Sequence, residues 1–243
     1  MQNPQIEVVA GPQELAVRAA HLFVDTAAVV VRDRGRFTVA LSGGSTPKRL
    51  YELLADPAEE FFGRLAWDKL HFFWSDERHV APDQADSNFK MVHEAMLGKV
   101  PVPPGNIHRI KAELPDPEAA ARDYEQMLTT FFHGQLPSFD LMLLGLGEDA
   151  HTASIFPGRP ELIETERLVA STWVEKMKTH RITMTMPVLN AAAAVIFLVS
   201  GAGKSAALKN VLDGPKDTLK YPAQAVAPTH GSLIWLIDRA ASV

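Results

Sequence analysis

Three loops of the 243-residue chain concentrate the side chains able to do chemistry. In DLMLLGLGEDAHTASIFPG (140–158), an aliphatic run ends in two glycines, two acids and a histidine. His151 is the candidate general base, because an imidazole with an ordinary pKa of about 6.5 is mostly neutral at cellular pH and can accept a proton. Asp149, or its neighbour Glu148, could hold the ring in one tautomer. In FTVALSGGSTPKRLYELLA (37–55), an apolar run leads through Ser42, Gly43, Gly44, Ser45 and Thr46 into a helical pattern. Thr46 fits the N-cap and Pro47 the first helical position. The free amides and hydroxyls of such a turn form a natural phosphate cradle, although Gly/Ser turns also serve purely structural ends. In HFFWSDERHVAPDQADSNFKMV (71–92), Asp76, Glu77, Arg78 and His79 follow an aromatic run directly. Arg78 could grip a phosphate or carboxylate bidentately, and Asp76 could orient it or accept a sugar hydroxyl. The alternative is a solvated loop with internal ion pairs. Two further cations, Arg181 in RITMTM and Lys204 in SGAGKS, flank strand-like runs and could face one cleft. An anionic ligand would repay bringing them together.

Two nucleotide-binding lookalikes fail on spacing. Gly145, Gly147 and Ala150 satisfy G-x-G-x-x-G/A, but that fingerprint needs a long helix behind it. Pro157 and Pro160 cut any helix starting here to about two turns. SGAGKS resembles the end of a P-loop, yet the first glycine of that motif would fall at Leu198, inside a strand. Composition narrows the remaining classes. The absence of cysteine removes thiolate nucleophiles, disulfides, Fe–S clusters and Cys-based zinc sites. No His/Asp/Glu cluster has metal-ligand spacing, so no metal is expected. The lack of G-x-S-x-G argues against a covalent serine route. A formal net charge of −5 offers no footprint for nucleic acid. No apolar run approaches the roughly 18 residues a membrane span requires, and MQNPQIEVVAGPQE has neither region of a secretory signal. A cytoplasmic location is therefore expected, with no membrane or nucleic-acid partner.

The elements that must position these loops alternate in type. Strand-like runs lie at IEVV near residue 6, FTVAL (37–41), KLHFFW (69–74), DLMLLGL (140–146), LVAST (168–172), AVIFLVS (194–200) and LIWLI (233–237). Several are apolar at consecutive positions, as in parallel strands buried on both faces. Amphipathic stretches fall between them at Pro12 to Val31, Ser87 to Leu97, Pro117 to Phe132 and Ala202 to Leu212. Asp86 or Ser87 looks like the cap of the second of these. KVPVPPGNIHRI (99–110) reads as an ordered surface connection and not a domain boundary. The expectation is one α/β domain over residues 1–243: a Rossmann-like, doubly wound, mostly parallel sheet with helices on both faces. In such folds ligands sit beyond the carboxyl ends of the strands.

Taken together, LSGGSTP, SDERHV with DSNF, GLGEDAHTASIFPG, RITMTMPVLN and SGAGKSAALKNVL closely resemble the 6-phosphogluconolactonase family, in order and across nearly the whole chain. The resemblance implies hydrolysis of a phosphosugar lactone, 6-phosphogluconolactone, to 6-phosphogluconate in the oxidative pentose phosphate pathway, with no cofactor. It makes His151 the base and assigns phosphate and ring oxygens to the glycine loop, Arg78, Arg181 and Lys204. A monomer is favoured. One departure is Ala150, where the family usually has glycine. If the position needs a positive φ, alanine is strained there by roughly 1–2 kcal/mol. Two rivals stand beside this reading. One is an amino-sugar-phosphate deaminase/isomerase of the same superfamily, which HTASIFPG and the arginine after the acidic pair at 76–77 disfavour. The other is a non-catalytic sugar-phosphate-binding protein, for whose usual DNA-binding module the chain has no room.

Overall fold

The computed structural model describes residues 4–242. The chain begins with β1 (Gln5–Val9) and α1 (Pro12–Arg34). Proline opens that helix, and Gly35 closes it at φ 74°, its N–H donating to the Val31 carbonyl. Next come β2 (Phe37–Leu41), α2 (Ser45–Ala55), β3 (Leu70–Trp74), the three-residue β4 (Asp76–Arg78) and α3 (Asn88–Val92). Helix α3 runs on into a π-helical turn, His93–Leu97. Ser87 is its N-cap, accepting from Lys90 N at 3.1 Å. The Pro-rich connection holds a 3₁₀ turn, Pro104–Asn106, and a short β5 (Ile107–His108), and α4 (Pro117–Phe131) and β6 (Leu141–Leu144) follow. The remainder comprises β7 (Val169–Val174), β8 (Thr179–Met184), α5 (Met186–Asn190), β9 (Ala194–Val199), α6 (Ser205–Leu212) and β10 (Ser232–Asp238).

Seven strands form one sheet in the order β1-β10-β9-β6-β2-β3-β5, parallel at every pairing. Every residue of β2 and β6 is buried, as consecutive apolar positions required. From β2 the chain builds outward through β3 to β5, then returns to β6 and builds the other way through β9 and β10. The strand order therefore reverses between β2 and β6, and a crevice opens there at the carboxyl ends.

Residues 168–172 and RITMTM do not extend this sheet. They form β7 and β8 of a second, antiparallel sheet ordered β4-β8-β7. Its partners are far apart in sequence: Asp76 pairs with Thr183, Glu77 with Ile182 and Arg78 with Arg181. One face packs on α4, where Ser171 Oγ donates to Glu118 at 2.5 Å and Val169 N to Glu125 at 3.3 Å. The other face looks across the crevice.

Two buried tyrosines rivet the strand ends facing that crevice. Tyr51 Oη accepts from Ser42 N at 3.2 Å and donates to Ser42 O at 2.9 Å. Tyr124 does the same for Trp74, at 3.0 and 3.1 Å. Where parallel strands diverge, main-chain groups lose ladder partners, and an unpaired buried one costs about 1–3 kcal/mol. Each phenol restores two partners and fixes the direction in which the next loop leaves.

Candidate active site

A cleft of about 910 Å³ lies at the carboxyl ends of β2, β6 and β9, with the second sheet along one side. His151, Asp149, Ser42, Gly43, Gly44, Ser45, Thr46, Asp76, Arg78, Arg181 and Lys204 all line it. Loops separated by up to 162 residues, from Ser42 to Lys204, are thus brought to one place by the reversal in strand order.

The His151 loop leaves β6 and turns back on itself. Gly147 N donates to His151 O at 2.8 Å, and Thr152 Oγ1 to Gly145 O at 2.9 Å. No α-helix follows before β7, so the dinucleotide lookalike lacks its phosphate-binding helix. Asp149, and not Glu148, faces the imidazole, with Oδ1 2.5 Å from His151 Nδ1 and 3.1 Å from its backbone N. Burial works to raise the Asp149 carboxyl, but the hydrogen bond and charge of His151 outweigh it and hold the group at about 2. A carboxylate can only accept, so Nδ1 carries a ring proton, and in the neutral imidazole Nε2 is then the nitrogen with the free lone pair. Phe156 packs against the ring at a centroid distance of 4.3 Å. The pair sits against Gly147: a Cβ there would lie 2.0 Å from His151 Nδ1 and 2.6 Å from Asp149 Oδ1. Ala150, fully buried, has φ 64°, and Ala153 has φ 47°. The strain anticipated for alanine in place of glycine is present.

The glycine loop departs from its expected cap. Helix α2 begins at Ser45, its N-cap is Gly44 at φ 107°, and no side chain caps it. Thr46 is therefore inside the first turn, and Pro47 is the third helical residue. Thr-Pro satisfies the local grammar of a cap, but Gly44 alone tolerates the positive φ by which the chain turns out of β2. Gly43 is required for another reason: a Cβ would lie 1.8 Å from Asn88 Oδ1. Ser42 Oγ is buried and unpartnered, at the cleft wall.

Arg78 and Arg181 stand directly opposite each other on β4 and β8. Like charges in register repel. Both Nε atoms are buried without a hydrogen-bond partner. Arg78 Nη1 donates to Asp86 O, while Arg181 Nη2 donates to Met177 Sδ at 2.7 Å and Nη1 lies 3.8 Å from Asp76 Oδ2. Burial pulls the Arg181 guanidinium below its ordinary value, Asp76 opposes this, and Arg78 adds to it. Asp76 is itself held by Ser154 Oγ at 2.6 Å and Asn88 Nδ2 at 3.4 Å. An anion between the guanidiniums would relieve their mutual repulsion.

Lys204 ends a 3₁₀ turn, Ala202–Lys204, just ahead of α6. Among the described residues no carboxylate lies within ion-pairing distance of it. The loop carrying it is tied down by buried Asp238, which accepts from Ser200 Oγ at 2.5 Å and Gly201 N at 3.1 Å. Burial raises the Asp238 carboxyl, but Ser200 and the main-chain donors bring it below its ordinary value.

Sequence reasoning missed Asn88, Ser154, Glu77 and Asp238, which position the loops, and the turn Glu175–Met177 between β7 and β8, which overhangs the cleft. Asn88 had a signal, since it follows the cap residue Ser87. Ser154 and Asp238 make their contacts across 78 and 37 residues of sequence, and Glu77 stood out only as one charge of its loop. Among the described residues, no three His, Asp or Glu side chains converge as a metal site.

Comparison with known proteins gives the chain's relatives. Residues 10–235 match the family described as Glucosamine-6-phosphate isomerases/6-phosphogluconolactonase. A 6-phosphogluconolactonase of Nostoc sp. is 44% identical over 239 residues, covering 97% of this chain and 96% of the relative. One from Rattus norvegicus is 40% identical over 240 residues, covering 98% and 92%. The solved 6-phosphogluconolactonase of Trypanosoma cruzi superposes with a TM-score of 0.88 at 28% identity, over 99% of this chain and 96% of that one. A cleft holding a carboxylate-oriented histidine opposite paired arginines, in a chain matched over nearly its whole length, places this protein in the glucosamine-6-phosphate isomerase/6-phosphogluconolactonase family.

Proposed function

We propose that the protein hydrolyses 6-phosphoglucono-1,5-lactone to 6-phosphogluconate, the second step of the oxidative pentose phosphate pathway. The observation that carries this is the 2.5 Å contact between His151 Nδ1 and Asp149 in the cleft that also holds the in-register Arg78 and Arg181. One side offers a proton acceptor, the other an anchor for an anion. The substrate is a phosphate ester with a reactive carbonyl, and it needs both.

In the mechanism, His151 Nε2 takes a proton from a water poised against the lactone carbonyl. As the hydroxide adds, negative charge collects on the carbonyl oxygen, where a cationic side chain or a backbone N–H of the cleft stabilises it. The carbon–ring oxygen bond then breaks, and the ring oxygen receives the proton from His151. Asp149 stabilises the transient imidazolium without accepting its proton. Arg78, Arg181, Lys204 and the loop Ser42–Thr46 hold the phosphate and ring oxygens, which keeps the carbonyl carbon near His151. Water and the ester suffice for this chemistry, so it requires no cofactor. We take the chain to act as one domain and as a monomer in the cytoplasm; no helix among the described residues is long and apolar enough to cross a membrane.

The deaminase/isomerase activity of the same superfamily is the rival. The experiment that separates them supplies purified protein with freshly generated lactone and, separately, with glucosamine 6-phosphate. Lactone loss above the spontaneous rate without ammonia release supports the lactonase; ammonia release without accelerated lactone loss overturns it.

A further inference from the structure

The acidic–basic loop contributes Asp76 and Arg78 to the cleft, but the residue between them points the other way. Side chains alternate along a strand, so β4 presents Asp76 and Arg78 on one face and Glu77 on the other. Glu77 is 2% exposed. Its carboxylate accepts four hydrogen bonds: from Arg78 N and Asn88 N to Oε1, both 2.7 Å, and from Phe89 N and Ser87 Oγ to Oε2, at 2.7 and 3.1 Å. No cation within ion-pairing distance neutralises it among the described residues; the balancing groups are main-chain donors and one hydroxyl.

Two features explain why this acid is needed. First, β4 has three residues and lies at the edge of its sheet, paired only with β8. Such a strand is weakly held on its own. Second, the first amides of α3 have no intrahelical acceptor. A capping box would supply Glu or Gln at the third helical position, but Lys90 stands there. Glu77 serves both needs, joining the outer edge of β4 to the start of α3. The joint lies between two cleft side chains. Arg78 receives its direction from the peptide that donates to Oε1, and Asn88 donates from that fixed helix start to Asp76 O at 3.0 Å. Burial pushes the Glu77 carboxyl up, against the pull of the Asn88, Phe89 and Arg78 amides. Those three are all donors and match the ionised form.

We infer that Glu77 is a positioning residue for the lactone reaction, which acts through Arg78 by clamping β4 to the start of α3. The inference rests on the lactonase reading. Glu77→Gln keeps the shape but turns an NH₂ towards a donor that the carboxylate accepted. A shift of about 1 Å in a substrate-holding group can cost on the order of 100-fold in rate; the clamp is one of several restraints on Arg78, so about tenfold is expected here, mainly as a raised KM for the lactone with kcat less affected.

The experiment is a double-mutant cycle on the full chain, with freshly generated 6-phosphogluconolactone, over Glu77→Gln, Arg78→Ala and the combination. Each change alone should raise KM, and the combination should match Arg78→Ala, because the clamp has nothing left to aim. If Glu77→Gln does not fold, Ser87→Ala removes one donor of the four, and its smaller KM rise should likewise vanish once Arg78 is alanine. Multiplicative effects, or an unchanged KM with only less active protein, would mean that Glu77 serves stability alone and overturn the inference. An unchanged KM in Arg78→Ala would overturn it too. Failure of the wild type to accelerate lactone loss is a separate result and strikes the lactonase reading itself.

Discussion

Gly147→Ala isolates the positioning of the histidine from the rest of the fold. Gly147 is not in the left-handed region, so alanine escapes the penalty of a positive φ there and should restrict the unfolded chain slightly. The damage is steric and local. The new Cβ would lie 2.0 Å from His151 Nδ1, about 1.4 Å inside ordinary van der Waals contact. The same atom would lie 2.6 Å from Asp149 Oδ1, so it wedges against both partners of the pair at their point of contact. The 2.5 Å hydrogen bond between them must open. A displacement above 1 Å at a general base, with loss of its tautomer partner, predicts a fall in kcat of about 10²- to 10³-fold. The phosphate side of the cleft is untouched, so KM should stay within about threefold of wild type, and the melting temperature within a few degrees. Lactone generated in situ and followed continuously, with the spontaneous rate subtracted, gives both constants. A variant that folds normally and keeps wild-type kcat would refute the reasoning, since the pair would then not need its geometry.

Other outcomes follow from the same structure. Gly43→Ala drives a Cβ to 1.8 Å from Asn88 Oδ1 and should lower kcat/KM at least about tenfold by freeing Asp76; adding Asn88→Ala removes the clash, so a double variant more thermally stable than Gly43→Ala checks the cause. Asp149 lies at about 2, below its ordinary 3.8, so it contributes stability that is complete above pH ~4 and lost as pH falls towards 2. Its side chain is 52% exposed, and screening limits that contribution to about 1 kcal/mol or less. Urea unfolding should therefore find Asp149→Asn slightly weaker than wild type at pH 6 and equal to it near pH 2; a gap that widens with acid contradicts the sign. Finally, 6-phosphogluconate at about 100 times its Kd should stabilise the wild type by about 2.7 kcal/mol. Arg181→Met should lose most of that rise in melting temperature, and an undiminished rise would show that the arginine pair does not hold the anion.

Much of this architecture was legible because it rests on local patterns. FTVAL is β2 residue for residue, and consecutive apolar positions in it and in β6 announced strands buried on both faces. The site loops were legible because strand ends in such sheets carry ligands, and chemically able residues clustered there. What escaped depends on contacts remote in sequence. Asp76, Glu77 and Arg78 do not resemble a strand; they become one because β8, about a hundred residues later, pairs with them. The second sheet was therefore invisible, although its two other strands were recognised as extended. Thr46 was misassigned as a cap because Thr-Pro fits the local rule, whereas the turn is governed by Gly44 at φ 107°. The choice between Glu148 and Asp149 awaited the fold of the loop around Gly147. Asp238 is 34 residues beyond Lys204, and only the adjacency of β9 and β10 makes it the anchor of the lysine loop.

The most direct test of the central claim compares wild type with His151→Ala in lactone loss, measured against spontaneous hydrolysis in the same buffer. Loss of a general base should lower kcat by about 10²- to 10⁴-fold, with KM little changed because Arg78, Arg181 and Lys204 remain in place. A His151→Ala protein that hydrolyses the lactone at the wild-type rate would contradict the account.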